Sequence, residues 1–210
     1  MALHDASGDD IGPFDDYDYP VERVSVGEPE MAYVDVGEGK ETFLCLHGEP
    51  TWGFLYRKMI PVLSEAGRVV APDLIGFGKS DKPTDINDYS YQQHMDWMQS
   101  FLDQTGMTDI TLVCQDWGSL IGLRLAAENP DRFRAIVVGN GSLPCGDQPM
   151  PQAFRIWKNF AMHSPWFPVS RILDIGSFRK LGPDERRAYD APFPSKKYKA
   201  GARAFPGLVP

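Results

Sequence analysis

The sequence predicts a doubly wound α/β fold with a mostly parallel sheet, and three observations carry that expectation. Apolar runs of strand length, "TFLCL", "RVVAPD", "DITLVCQ" and "FRAIVVGN", alternate with helix-like stretches, an order that joins parallel strands by right-handed crossovers. "TFLCL" is continuously apolar, as strands covered on both faces are. The run "LVCQDWGSLIG" turns abruptly from strand to helix with small residues at Gly118 and Gly122, which lets that helix pack closely on the sheet.

Taken in order, residues 1 to about 18 are rich in Asp and Gly and are expected to form a loosely held arm. "VERVSV" and "MAYVDV" alternate like a half-buried hairpin around a Gly-Glu-Pro-Glu turn. After the strand "TFLCL", the stretch "GFLYRKMIPVLSEAG" reads as a helix closed by Gly67, and "RVVAPD" as the next strand. "SYQQHMDWMQSFLDQTG" places Met95, Met98, Phe101 and Leu102 on one helical face and leads into "DITLVCQ". A helix over 117–129 and the strand "FRAIVVGN" follow. From about Leu143 the pattern breaks into short helical pieces rich in Pro and aromatics, read as an inserted helical cap over 144–205. Residues 1–143 then form the main domain, and 206–210 begin the return to it.

The 210 residues carry a formal charge of -8 with no basic cluster, which argues against a nucleic-acid partner. Three cysteines, Cys45, Cys114 and Cys145, show no metal-binding spacing and read as thiols in a reducing compartment; neither a metal nor a cofactor is expected. No apolar run approaches the roughly 18 residues of a membrane span, and the N-terminus is acidic where a signal peptide is basic. The expectation is a cytoplasmic monomer with no membrane partner.

Chemistry concentrates at Asp116. A carboxylate between a buried strand and a helix is stabilised by the helix's first N–H groups. At a corner of this shape a serine needs a base to take its proton, whereas a carboxylate of ordinary pKa about 3.9 is already an anion. It attacks a saturated carbon bearing a good leaving group and forms an ester that water later cleaves. The competing reading is that Asp116 merely caps the helix. His47 ends a strand in a loop-shaping motif and reads as structural rather than as a base.

Together, "HGEPTW", "APDLIGFGKSDKP", "TLVCQDWGSLIG" and "YDAPFP…YKAGARAFP" resemble the haloalkane dehalogenases of the α/β-hydrolase fold, in the subfamily with an Asp nucleophile and two halide-holding Trp residues. The resemblance runs from about residue 20 to the last residue. It implies Asp116 as nucleophile, Trp117 and Trp157 as halide-binding residues, and Phe154 and Trp52 as pocket residues. It further implies that Glu49 helps hold the hydrolytic water, and that the Glu49 and Trp117 backbone N–H groups form the oxyanion hole. Trp166, nine residues after Trp157, is the alternative second donor. An indole N–H suits a departing halide because it donates and never competes as an acceptor. The implied partners are a small halogenated alkane, water and a halide ion.

The family's general base is a histidine near its C-terminus, and the acid that orients it follows the cap. In this sequence "AFPGLVP" comes immediately after the cap, so the expectation is a fragment of a longer enzyme, with both residues beyond Pro210 and the last strands and helices of the sheet outside the chain. The strand "AIVVGN" is then expected to expose an apolar parallel edge. Two other readings remain: an epoxide hydrolase of the same fold, with Tyr189 and Tyr198 as the cap tyrosines, and a non-catalytic or covalently trapping protein.

Overall fold

The computed structural model describes residues 3–4, 11–144, 146–147 and 149–210. The strands are β1 (Leu3–His4), β2 (Glu22–Ser25), β3 (Glu30–Val36), β4 (Thr42–Leu46), β5 (Arg68–Pro72), β6 (Lys82–Pro83), β7 (Ile110–Gln115) and β8 (Phe133–Gly139). The helices are α1 (Ile60–Ser64), α2 (Tyr91–Thr105), α3 (Trp117–Glu128), α4 (Gln152–His163), α5 (Val169–Gly176), α6 (Pro183–Asp190) and α7 (Ala200–Leu208).

Six strands form one sheet in the order β2-β3-β5-β4-β7-β8, and β1 pairs separately with β6. The hairpin β2-β3 joins antiparallel onto β5, while β5, β4, β7 and β8 run parallel. Every residue of β4 is buried, as its unbroken apolar run requires. Leu44 stands in register with Val70 on one side and Leu112 on the other, so the centre of the core lies where the crossovers place their helices.

β8 is the expected exposed edge. Ile136, Val137 and Val138 keep 47%, 55% and 42% of their surface although they belong to a parallel strand, a class normally covered on both faces. α2 starts at Ser90, whose hydroxyl accepts from the Gln93 N–H, and stops at Gly106 in the left-handed conformation. Its buried side, including Met95, Met98, Phe101 and Leu102, matches the apolar spacing.

Two expectations need correction. The single helix over 53–67 is two pieces, a tight turn over Gly53–Tyr56 and α1 from Ile60, because Pro61 lacks an N–H and starts a helix rather than continuing one. The described part of the N-terminal arm is packed down: Ile11, Phe14 and Tyr17 are buried, with Tyr17 edge-on to Trp52 and Phe54. Its aromatic residues outweigh the acidic composition that suggested a loose segment. The last helix, α7, runs from Ala200 through Leu208. Cys45 and Cys114 are buried free thiols, and Cys145 lies outside the described residues. No described helix is long and apolar enough to cross a membrane.

Candidate active site

β7 ends at Gln115 and α3 begins at Trp117, leaving Asp116 alone at the corner with φ 50° and ψ −127°. A non-glycine residue with positive φ costs about 1–3 kcal/mol and persists only where its surroundings fix it. Those surroundings are explicit. The Asp116 N–H donates to the Asn140 carbonyl at 3.2 Å, and the Asp116 carbonyl accepts from the Ser119 N–H at 2.9 Å and the Ser119 hydroxyl at 2.6 Å. Glycines make the corner close enough to build. A Cβ on Gly118 would run into the Leu46 carbonyl, and one on Gly48 would meet the Asp116 side chain itself.

The carboxylate is held from two directions. The Glu49 N–H donates to Asp116 Oδ1 at 2.8 Å, and the Trp117 backbone N–H donates to the same carboxylate. Burial pushes the Asp116 carboxyl above its ordinary pKa, and these two donors pull it back. Glu49 and Trp117 therefore bring together the backbone N–H pair expected of an oxyanion hole, and the Glu49–Pro50 peptide bond is cis. As a cap, Asp116 makes no side-chain bond to the helix interior, so capping does not account for its place.

Glu49 completes an acidic pair. Its Oε1 is buried without a hydrogen-bond partner, and burial, followed by the nearby Asp116 charge, raises the Glu49 pKa well above the usual carboxylate range. A protonated Glu49 is thus the form this environment favours, with an orphaned oxygen able to bind a water or another polar group.

Asp116 and Asn140 line two neighbouring cavities. One, of about 530 Å³, also takes Trp117, Leu120, Met150 and Phe154. The other, of about 870 Å³, takes Glu49, Leu55, Trp157, Phe160, Trp166 and Arg171 among its walls. Trp117 lines the first of these spaces and Trp157 the second, and the two spaces meet at Asp116 and Asn140. Trp157 and Trp166 line the same space, Trp157 packed against Phe160 and Phe167 and Trp166 58% exposed at the rim.

Trp52 is not brought to the site. It is fully buried, its indole N–H donates to the Ala188 carbonyl at 3.1 Å, and it stacks on Phe54. It lines neither cavity, because it is packed into an aromatic cluster with Phe14, Tyr17 and Phe54. Phe154 does line the cavity beside Trp117.

His47 has both ring nitrogens engaged, Nδ1 with the Gly48 carbonyl at 3.0 Å and Nε2 accepting from the Leu74 N–H at 2.9 Å. Burial lowers its pKa to about 4, which keeps it neutral as a loop strut. His94 is buried among Tyr89, Trp97 and Phe205. No histidine of the described residues lines either cavity.

Three residues beyond the sequence reading contribute. Asn140, left-handed at φ 48°, anchors the corner and faces both cavities; the Gly-Asn-Gly after β8 was its signal. Phe205 of α7 packs on the Trp117 indole with 4.4 Å between ring centres, and no local pattern marks it. Arg171 lines the larger cavity. Among the described residues no cluster of His, Cys, Asp and Glu forms a metal site.

Comparison with known proteins places this architecture. Residues 41–176 match the family model described as alpha/beta hydrolase fold. A haloalkane dehalogenase of Mycolicibacterium paratuberculosis is 56% identical over 86% of this chain and 60% of its own length. One from Psychrobacter cryohalolentis is 51% identical over 94% of this chain and 66% of its own. The tetrameric haloalkane dehalogenase DpaA from Paraglaciecola agarilytica superposes with a TM-score of 0.88 at 40% identity, covering 93% of this chain and 67% of that one. The chain thus spans 60 to 66% of the length of these two curated relatives. By sequence and by fold, it belongs to the haloalkane dehalogenase family of the α/β hydrolases.

Proposed function

We propose that this chain carries the halide-displacing half of a hydrolytic dehalogenase site. Asp116 attacks the carbon of a halogenated alkane, its oxygen forms the C–O bond as the C–halogen bond breaks, and the halide leaves with the bonding pair. The observation that supports this reading most is the Asp116 carboxylate itself, held by the Glu49 and Trp117 N–H groups at a corner where no cation of the described residues pairs with it. The indole N–H groups of Trp117 and Trp157, which unlike that of Trp52 have no protein acceptor among the described residues, suit a departing anion. In this reading α4–α7 are the cap, the partners are a haloalkane, water and halide, and the protein is a cytoplasmic monomer without cofactor.

Tyr189 packs edge-on to Phe54, and neither Tyr189 nor Tyr198 lines a cavity beside Asp116, so nothing favours an epoxide hydrolase. Incubation with 1,2-dibromoethane tests the proposal. Bromide should appear with the native chain and be absent with Asp116→Ala; equal release from both would remove the nucleophile role.

A further inference from the structure

Resting on that reading, we infer that the larger cavity takes substrates with a halogen at one end and an anionic group, such as a carboxylate, at the other, and that Arg171 is the residue that receives the anion. At about 870 Å³ the cavity lies high in the 300–1,000 Å³ range of pockets that hold drug-sized ligands, well beyond the needs of a two-carbon haloalkane. Its walls are largely apolar, with the uncharged polar side chains of Thr51, Gln115, Asn140 and Ser177 among them and ionisable groups at two places. One holds the reacting pair, Asp116 with Glu49, and the other holds Arg171 on α5.

Arg171 is not committed elsewhere. Its guanidinium lies over the Trp166 ring at 5.5 Å, a contact that does not neutralise its charge. The acid three residues on, Asp174, is already taken: it pairs with Arg186 at 3.1 Å and accepts from the Leu181 N–H at 2.8 Å. Among the described residues no carboxylate lies within ion-pair distance of Arg171. A guanidinium offers a planar fork that matches a carboxylate with two parallel bonds. It is also the only cation among the residues that line this cavity. A chain anchored at its anionic end on Arg171 presents its halogen end toward Asp116, which orients the carbon for attack.

The test is single-turnover alkylation of the full chain, followed by intact mass, with ω-bromoalkanoates of increasing length. Each is compared with its methyl ester and with the 1-bromoalkane of matched length. At one favoured length the acid should alkylate roughly three- to tenfold faster than its ester, the scale of an exposed Arg–carboxylate pair. Arg171→Gln should bring the acid down to the ester's rate, Arg171→Lys should keep part of the preference, and added salt should shrink it. Thermal melting of both variants checks folding; Arg171 is exposed, and both should melt with the native chain. Equal rates for acid and ester at every length, or an Arg171→Gln variant that keeps the preference, would overturn the inference while leaving the nucleophile intact. An effect of Arg171→Gln on halide inhibition alone would assign the residue to the leaving ion and overturn it too. If no substrate alkylates the chain, the proposed function falls along with it.

Discussion

Asp116 and Trp117 stand where the backbone leaves them no alternative, whereas Phe154, Trp157 and Arg171 stand on helices tied to the main domain at a distance from the site. The corner is fixed by Asn140, Ser119 and the Glu49 N–H, with no side chain at Gly48 or Gly118 to hold it apart. The cap is pinned instead at α6 and α7: Trp52 reaches the Ala188 carbonyl, Phe54 meets Tyr189, Arg57 pairs with Glu185, and Phe205 lies on Trp117. α4 and α5 join the pinned helices through contacts such as Ser170 to Asp190, and they leave Ile156 and Ile175 at 64% and 82% exposure. The proposed nucleophile thus sits on the tightly fixed region and the cavity-lining candidates on the more exposed one, the division expected when a scaffold must position a nucleophile tightly yet admit a ligand.

The sharpest way to break that contrast is at the corner. Gly118→Ala puts a methyl group into the Leu46 carbonyl, and because backbone rather than a flexible side chain must yield, we expect a loss of about 3 kcal/mol or more, read by thermal melting. A variant that melts with the native chain would show the corner to be looser than described.

A smaller effect separates the two indoles. Trp117→Phe should slow halide displacement roughly 100-fold, the scale of removing a transition-state donor from a preorganised site. Trp157→Phe should slow it only about tenfold, since that indole stands on a cap helix that the hydrogen bonds of the corner do not fix. Trp117→Phe should also lower the melting temperature, because the buried indole carries Phe205 and Tyr91, whereas half-buried Trp157 should cost less; a larger effect on displacement at Trp157 would reverse the assignment of the fixed and exposed sides.

The smallest expected effect is a pH dependence at Glu49. Its folded pKa is raised, so the unfolded chain releases this proton more readily, and the group's stabilising contribution is present below about pH 4.5 and lost as pH rises through the folded value. Glu49→Gln, which mimics the protonated carboxyl, should raise the melting temperature at pH 8 and leave it nearly unchanged at pH 4. His47 works in the opposite sense: with its pKa lowered from 6.5 to about 4, its contribution is present above pH 6.5 and lost as pH falls toward 4. An unchanged melting temperature in Glu49→Gln at pH 8 would mean that its carboxyl is solvated.

The same contrast explains what could be read from the residues in advance. The corner was legible because its signal is local: strand, acid and two small residues lie within one short run, even though Asn140 and the Glu49 N–H, far along the chain, complete the hold on Asp116. β4 and β8 were legible because burial on both faces writes an unbroken apolar run, even where β8 stands open at the sheet edge. Trp52 was misplaced because only its partners, Ala188 and the aromatics of the arm, decide which way an indole at that position turns. Asn140, Phe205 and Arg171 were missed for the same physical reason. Each acquires its role by meeting a residue tens of positions away, and periodicity carries no trace of that meeting.

The central claim is that Asp116 is an attacking carboxylate in a site where no described histidine stands ready to activate water. General-base help is worth about 10² to 10⁴ in rate, so hydrolysis should lag far behind displacement. The decisive measurement is excess 1,2-dibromoethane with the 210-residue chain, counting bromide per chain and mapping the adduct by peptide mass. The account predicts close to one bromide per folded chain and a bromoethyl ester on Asp116. Sustained release of many bromides per chain, or an adduct on another residue with Asp116 unmodified, would contradict it.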